Sequence, residues 1–150
     1  DGTVCGNGAG PRTMFPEVKN FILAGGDSLA VDAVAAGMMG FEPLSIPYIR
    51  MAHDRGLGVG DLREIEVVGE DVSRTNFGFK TRRSLVIWGD QMIRRGFLRP
   101  LEKILLHSPL VVWAPFASNV YHDLMWYPTI GKKRIGKFMK TEWGALWKTY

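Results

Sequence analysis

Residues 27–40, DSLAVDAVAAGMMG, read as one complete helix with both ends marked. Asp27 or Ser28 can accept hydrogen bonds from the first free backbone N–H groups, and Gly40 can take the left-handed conformation that closes the last turn. Leu29, Val31, Val34, Met38 and Met39 spread around the helix with alanines and Gly37 between them, leaving no broad polar face, so the helix is expected to be mostly buried. Asp32 lies in its interior and shares a face with Ser28, Ala35, Ala36 and Met39. A buried carboxylate there must pair, accept hydrogen bonds, bind a cation or become neutral. The commoner outcome is a tie to a neighbouring loop; the sharper one is a ligand or catalytic site. Five residues separate Asp27 from Asp32, roughly 140° around an ideal helix, so the two carboxylates do not share one ligand. Asp27 is expected to cap and Asp32 to act.

Outward from this helix the chain reads as α/β, or α+β, up to residue 71. The first 16 residues read as a glycine-rich loop, VCGNGAGP, followed by RTMFP, and FILA, 21–24, is expected as a buried strand that feeds the helix. A second helix opens at Ser45 and Pro47 and runs to Arg55, where Gly56 stops it. Ile65, Val67 and Val68 then suggest a second strand. From Asp71 to Phe79 the chain is polar and turn-like. SLVIW, 84–88, fits a strand or a helix start, and 91–107 looks helical with Phe97, Leu101, Ile104 and Leu105 on one stripe and a break at Pro100. The last 30 residues are aromatic and basic. One domain spans 1–150, with an α/β part at 1–71 and a helical, basic and aromatic extension at 72–150.

With 150 residues, 46% of them hydrophobic and 23% charged, the chain can bury a real core and is not a disordered segment. The longest apolar run, Ile104 to Ala117, is broken by His107, Ser108, Pro109 and Pro115 and falls short of the roughly 18–20 residues of a membrane span. The chain begins at Asp1 without a charged-then-apolar leader, which reads as a cut within a longer protein. A single cysteine, Cys5, supplies neither an internal disulfide nor a metal or cluster ligand set, and a reducing cytoplasm is the expected setting.

GNGAGP near the start, then ILAGGDSLAVDAVAAGMMGFEP, then AHDRGLGVGDLREIEVVGED resembles the C-terminal half of family 362 of the domains of unknown function. The resemblance covers residues 1–71. It implies that a missing N-terminal half of the same protein supplies the rest of the fold, and it implies kinship with proteins that sometimes carry ferredoxin-like iron–sulphur modules. This chain holds no cysteine cluster, so an iron–sulphur cluster would lie outside this segment. The resemblance leaves the cofactor unknown.

Three constellations could carry chemistry. Gly6, Asn7, Gly8 and Gly10 could turn backbone N–H groups inward as an anion-binding nest, although no Lys-Ser or Lys-Thr follows them and a plain tight turn fits as well. Asp32 is the second. His53 is the third, placed beside Asp54 and Arg55 at a helix C-terminus that favours its cationic form. His107 and His122 stand alone, and no metal-ligand spacing occurs.

The net charge of +4 and a pI near 9.4 allow attraction to anionic partners. KKRIGKFMKTEWGALW could form an amphipathic helix with Ile135, Phe138, Met139, Leu146 and Trp147 towards one side, weakened by Gly136 and Gly144. Packing of these aromatics on the core or on a second subunit is the favoured reading. A membrane surface is allowed without being favoured, and no nucleic-acid motif is present. Two functions follow: a redox-associated or small-ligand-binding protein with its site near the glycine loop and Asp32, or a non-catalytic assembly or membrane-docking module using the basic aromatic region. Whether the chain is an enzyme stays open.

Overall fold

A computed structural model describes residues 1–10 and 12–149, the side chain of Leu85 apart. Pro11 of the glycine loop and Tyr150 of the aromatic tail lie outside the described residues. The chain divides into two compact units, Asp1–Thr3 with Lys19–Lys80 and Val4–Val18 with Thr81–Tyr150.

The first unit is built on α1, Ser28–Met39, where the sequence places it. Asp27 caps it by accepting from the N–H groups of Leu29 and Ala30 at 2.8 and 3.2 Å. Gly40 closes it at φ 96° and returns its N–H to the carbonyls of Ala36 and Gly37. α2, Pro47–Asp54, follows a 3-10 turn at Pro43–Ser45, with Pro47 in the first helical turn, where a missing N–H is harmless. Leu29, Ala33 and Ala36 of α1 meet Ile49 of α2 in the core, with Phe41, Leu44 and Ile65 packed around them. The polar stretch after residue 71 covers the end of α1: the N–H groups of Phe77 and Phe79 donate to the carbonyls of Met38 and Met39 at 2.8 and 2.9 Å. These are carbonyls that a helix end leaves open.

Two expected strands do not form. Of FILA, Phe21 ends the strand Phe15–Phe21 while 22–24 carry no regular structure with Ile22 exposed, and 65–68 likewise carry none, with Val68 87% exposed. Both have strand-forming composition, but a strand also needs a neighbour for its amides, and neither stretch has a strand partner among the described residues. The sheet is instead one antiparallel hairpin of β1, Gly2–Asn7, and β2, Phe15–Phe21, formed where a glycine-rich loop was expected. The architecture is therefore α+β with a helical C-terminal region, without β–α–β alternation.

In the second unit SLVIW resolves as helix. α3, Leu85–Arg94, starts at Ser84, whose hydroxyl accepts from the N–H of Ile87 at 3.3 Å. A break at Gly96–Leu98 and a 3-10 turn at Arg99–Leu101 separate it from α4, Glu102–Leu106. The expected stripe is interrupted by this break and is not covered: Phe97 is 76% exposed, and Leu101 and Ile104 are also open. A continuous helical rod follows, made of α5, Trp113–Asn119, a π-wound run from Val120 to Gly131 that contains Pro128, and α6, Lys132–Phe138. The expected amphipathic tail helix is two short helices. Thr141 ends the first and caps α7, Glu142–Trp147, accepting from the Gly144 N–H at 3.1 Å. Gly144 is seated against the Phe138 carbonyl, where no Cβ would fit, and this lets Trp147 fold back to 6.5 Å from the Phe138 ring. Among the described residues no helix is long and apolar enough to cross a membrane.

Candidate functional site

In the first unit the carboxylate that ties elements together is Asp27. Besides capping α1, it accepts from the Val59 N–H at 2.7 Å, which fastens the glycine loop after α2 to the start of α1. The loop approaches so closely that a Cβ on Gly58 would strike the Asp27 carboxylate and lie 2.8 Å from Leu29 Cβ. The Val59 N–H first, then those of Ala30 and Leu29, hold the Asp27 pKa below the usual carboxylate value. Asp61 follows the same logic. Arg63 donates to both its oxygens, Nη2 to Oδ2 at 2.5 Å, and the Arg63 side chain and N–H bring its pKa down to about 2.

Asp32 is exposed, which corrects the expectation of a buried carboxylate. Ser28 is exposed beside it, whereas Ala36, expected on the same face, is buried in the core. The one recorded partner of Asp32 is the Tyr48 hydroxyl, which donates to Oδ2 at 3.3 Å. Burial of the phenol, then the Asp32 charge, raises the Tyr48 pKa. His53 accepts the Gly60 N–H at its Nδ1, 3.2 Å away, so its other nitrogen carries the proton. A Cβ on Gly60 would fall 3.2 Å from His53 Cβ, so His53 also pins the glycine loop. Two clefts flank the other side of α1, of about 440 and 500 Å³, sharing Val34, Ile65 and Val67 as walls. Asp32 and His53 line neither.

Gly6, Asn7, Gly8 and Gly10 lie in the second unit, at the tip of the hairpin. Gly8 takes φ 96°, as the turn requires. Asn7 reaches across the hairpin and donates to Glu17 at 2.8 Å, and the Thr13 hydroxyl donates to the Ala9 carbonyl at 2.7 Å. Gly6 lies flat against Met14, where a Cβ would collide with the sulfur. Gly6, Asn7 and Gly8 thus each have a role in shaping the hairpin. Among the described residues no three His, Cys, Asp or Glu side chains gather as a metal site.

The second unit presents different chemistry. Six basic residues face ten acidic ones in the first unit, a net charge of −4, whereas thirteen basic against five acidic give the second a net +8. Between Leu110 and Ile130 ten large apolar side chains are more than a third exposed, with Phe116 at 69% and Leu124 at 71%. Asp123 is the only Asp, Glu, Lys or Arg from Ile104 to Gly131, and Lys132, Lys133, Arg134 and Lys137 follow at once. The sequence hid this surface because aromatic and aliphatic composition reads equally as core. Compared with known family models, characterised proteins and solved structures, the chain matches none. What the fold and sites define is an acidic unit built on α1 and α2 and a basic, mainly helical unit with many exposed apolar side chains.

Proposed function

We propose that the second unit is a docking module that seats the protein on an anionic membrane surface. The observation that carries this reading is the exposed apolar run from Leu110 to Ile130, followed directly by a cluster of lysines and Arg134. Contiguous exposed apolar surface rimmed by charge marks an interaction site. Aromatic side chains beside lysines suit the lipid interface in particular, where rings sit at headgroup depth and each nearby cation contributes about 1 kcal/mol. A helix lying in the interface needs no membrane-spanning length. The chain is expected to co-sediment with phosphatidylcholine vesicles containing phosphatidylserine and to release in high salt. Phe116→Ser/Leu124→Ser is expected to abolish pelleting. Unchanged pelleting of that variant would refute the reading.

A second reading, assembly through the first unit, is favoured by a separate observation. Residues 23–25 and 66–68 belong to no helix or strand, border the 440 Å³ cleft, and make no backbone hydrogen bond among the described residues. Open backbone is a template for an added strand. The family resemblance supplies a candidate for it, further protein from the same chain. Amide exchange tests this: unprotected amides at 23–25 and 66–68 beside a protected α1 are expected, and protection at both walls in the isolated chain would remove the reading.

A further inference from the structure

A cavity of about 460 Å³ lies where α6 packs on the hairpin of the second unit, and its lining is unusual in charge. Lys133, Arg134 and Lys137 all line it, with Phe15, Phe138 and the Thr129 side chain, and no carboxylate does. Lys133 and Lys137 are one helical turn apart and so project to the same side. Arg134 is held in a fixed pose. Its Nη1 donates to the carbonyls of Thr13 and Met14, its guanidinium carbon sits 3.4 Å from the centre of the Phe15 ring, and its Nε is buried without a partner. Desolvation, then the nearby positive charge of Arg82, pushes its pKa down. A half-buried arginine beside other cations, with no counter-ion among the described residues, is a strained arrangement that a bound anion relieves.

We propose that this cavity holds the phosphate monoester of a membrane lipid headgroup. A dianionic phosphate matches three converging cations better than a monoanionic carboxylate or phosphodiester does, and a guanidinium with one edge tied down presents its remaining donors in a fixed direction. The apolar part of the lining, Phe15 and Phe138 with Ile130, accepts the glycerol and the start of the acyl chains. The lipid source of the phosphate rests on the docking reading above; the anion site rests on the cavity alone.

The test uses the whole chain and three phosphate probes: inorganic phosphate, water-soluble dibutyryl phosphatidate, and phosphatidylcholine vesicles carrying phosphatidate or phosphatidylserine at matched net charge. Phosphatidate vesicles are expected to bind about tenfold more tightly than phosphatidylserine vesicles, and Lys133→Gln/Lys137→Gln is expected to erase that preference while leaving binding to phosphatidylserine measurable. Dibutyryl phosphatidate is expected to bind more tightly than inorganic phosphate and to shift the amide resonances of Lys133 and Lys137. Equal binding of the two vesicle types, with the lysine variant unaffected, would overturn the headgroup site and leave membrane docking intact. Binding of dibutyryl phosphatidate without vesicle binding would instead remove the docking reading and with it the membrane source of the ligand. Equal affinity for inorganic phosphate and dibutyryl phosphatidate would overturn the lipid ligand, as would a preference for a nucleic-acid phosphate over both.

Discussion

The two units bury apolar surface on opposite plans. In the first, Leu29, Ala33, Val34, Ala36, Met38, Ile49 and Phe79 are all buried, gathered by α1 and its neighbours; in the second, Ile93 is the buried apolar side chain among the described residues. The second unit is not short of apolar residues, for most of the exposed ones in the chain belong to it. Burial is the principal favourable term in folding, so the first unit draws stability from a buried core, while much of the second unit's apolar surface is exposed.

This contrast can be broken most directly at Ile49, which is fully buried. Ile49→Ala is expected to destabilise the first unit by about 3 kcal/mol in urea unfolding followed by amide exchange, whereas Ile104→Ala on the open face of α4 should change little, within about 0.5 kcal/mol. Equal effects would show that the second unit has a core after all. Next in size, Gly58→Ala should cost about 2 kcal/mol through overpacking against Asp27 and Leu29, and a wild-type unfolding midpoint would mean that the loop gives way freely.

Acid sharpens the comparison further. Asp61 drops from an ordinary 3.8 to about 2 in the folded chain, and Asp27 is lowered too. A carboxylate depressed by folding contributes stability that is complete above about pH 4 and is lost as pH falls from 3.8 through 2. Amide exchange in α1 should therefore accelerate below pH 4, and Asp61→Asn should flatten that dependence; an acid response confined to the second unit would contradict it. The smallest expected effect on stability is that of Phe116→Ser/Leu124→Ser, within about 0.5 kcal/mol, measured by thermal unfolding of the same variant that is to lose vesicle binding.

The parts of the fold legible in the sequence are those fixed by local chemistry. α1 and α2 announce their own ends through Asp27, Gly40, Pro47 and Gly56, and each forms as expected. What failed depends on neighbours. FILA and Ile65–Val68 carry strand composition, but pairing is a non-local property, and the hairpin formed instead from the stretch that looked like a loop. Burial of Asp32 failed for the same reason, since a helix with no polar face can still leave one side uncovered. Of the candidate site residues, Asp32 lies exposed on α1, where it accepts from the Tyr48 hydroxyl, and His53 accepts the Gly60 N–H. Arg134 was legible only as one cation in a basic run; its stacking on Phe15, 119 positions away, has no local signature.

Pro128 within the π-wound run bears on how deep the second unit can sink. Proline brings no N–H to the turn before it, so that turn has one backbone donor fewer than its carbonyls can use. In pure hydrocarbon an open carbonyl costs several kcal/mol, whereas water or a headgroup satisfies it at little cost. Asp123, in the same run, is likewise at home only where it stays hydrated. The middle of the apolar rod therefore carries its own depth limit. On the docking proposed above, this run would rest among headgroups and stay out of the bilayer interior.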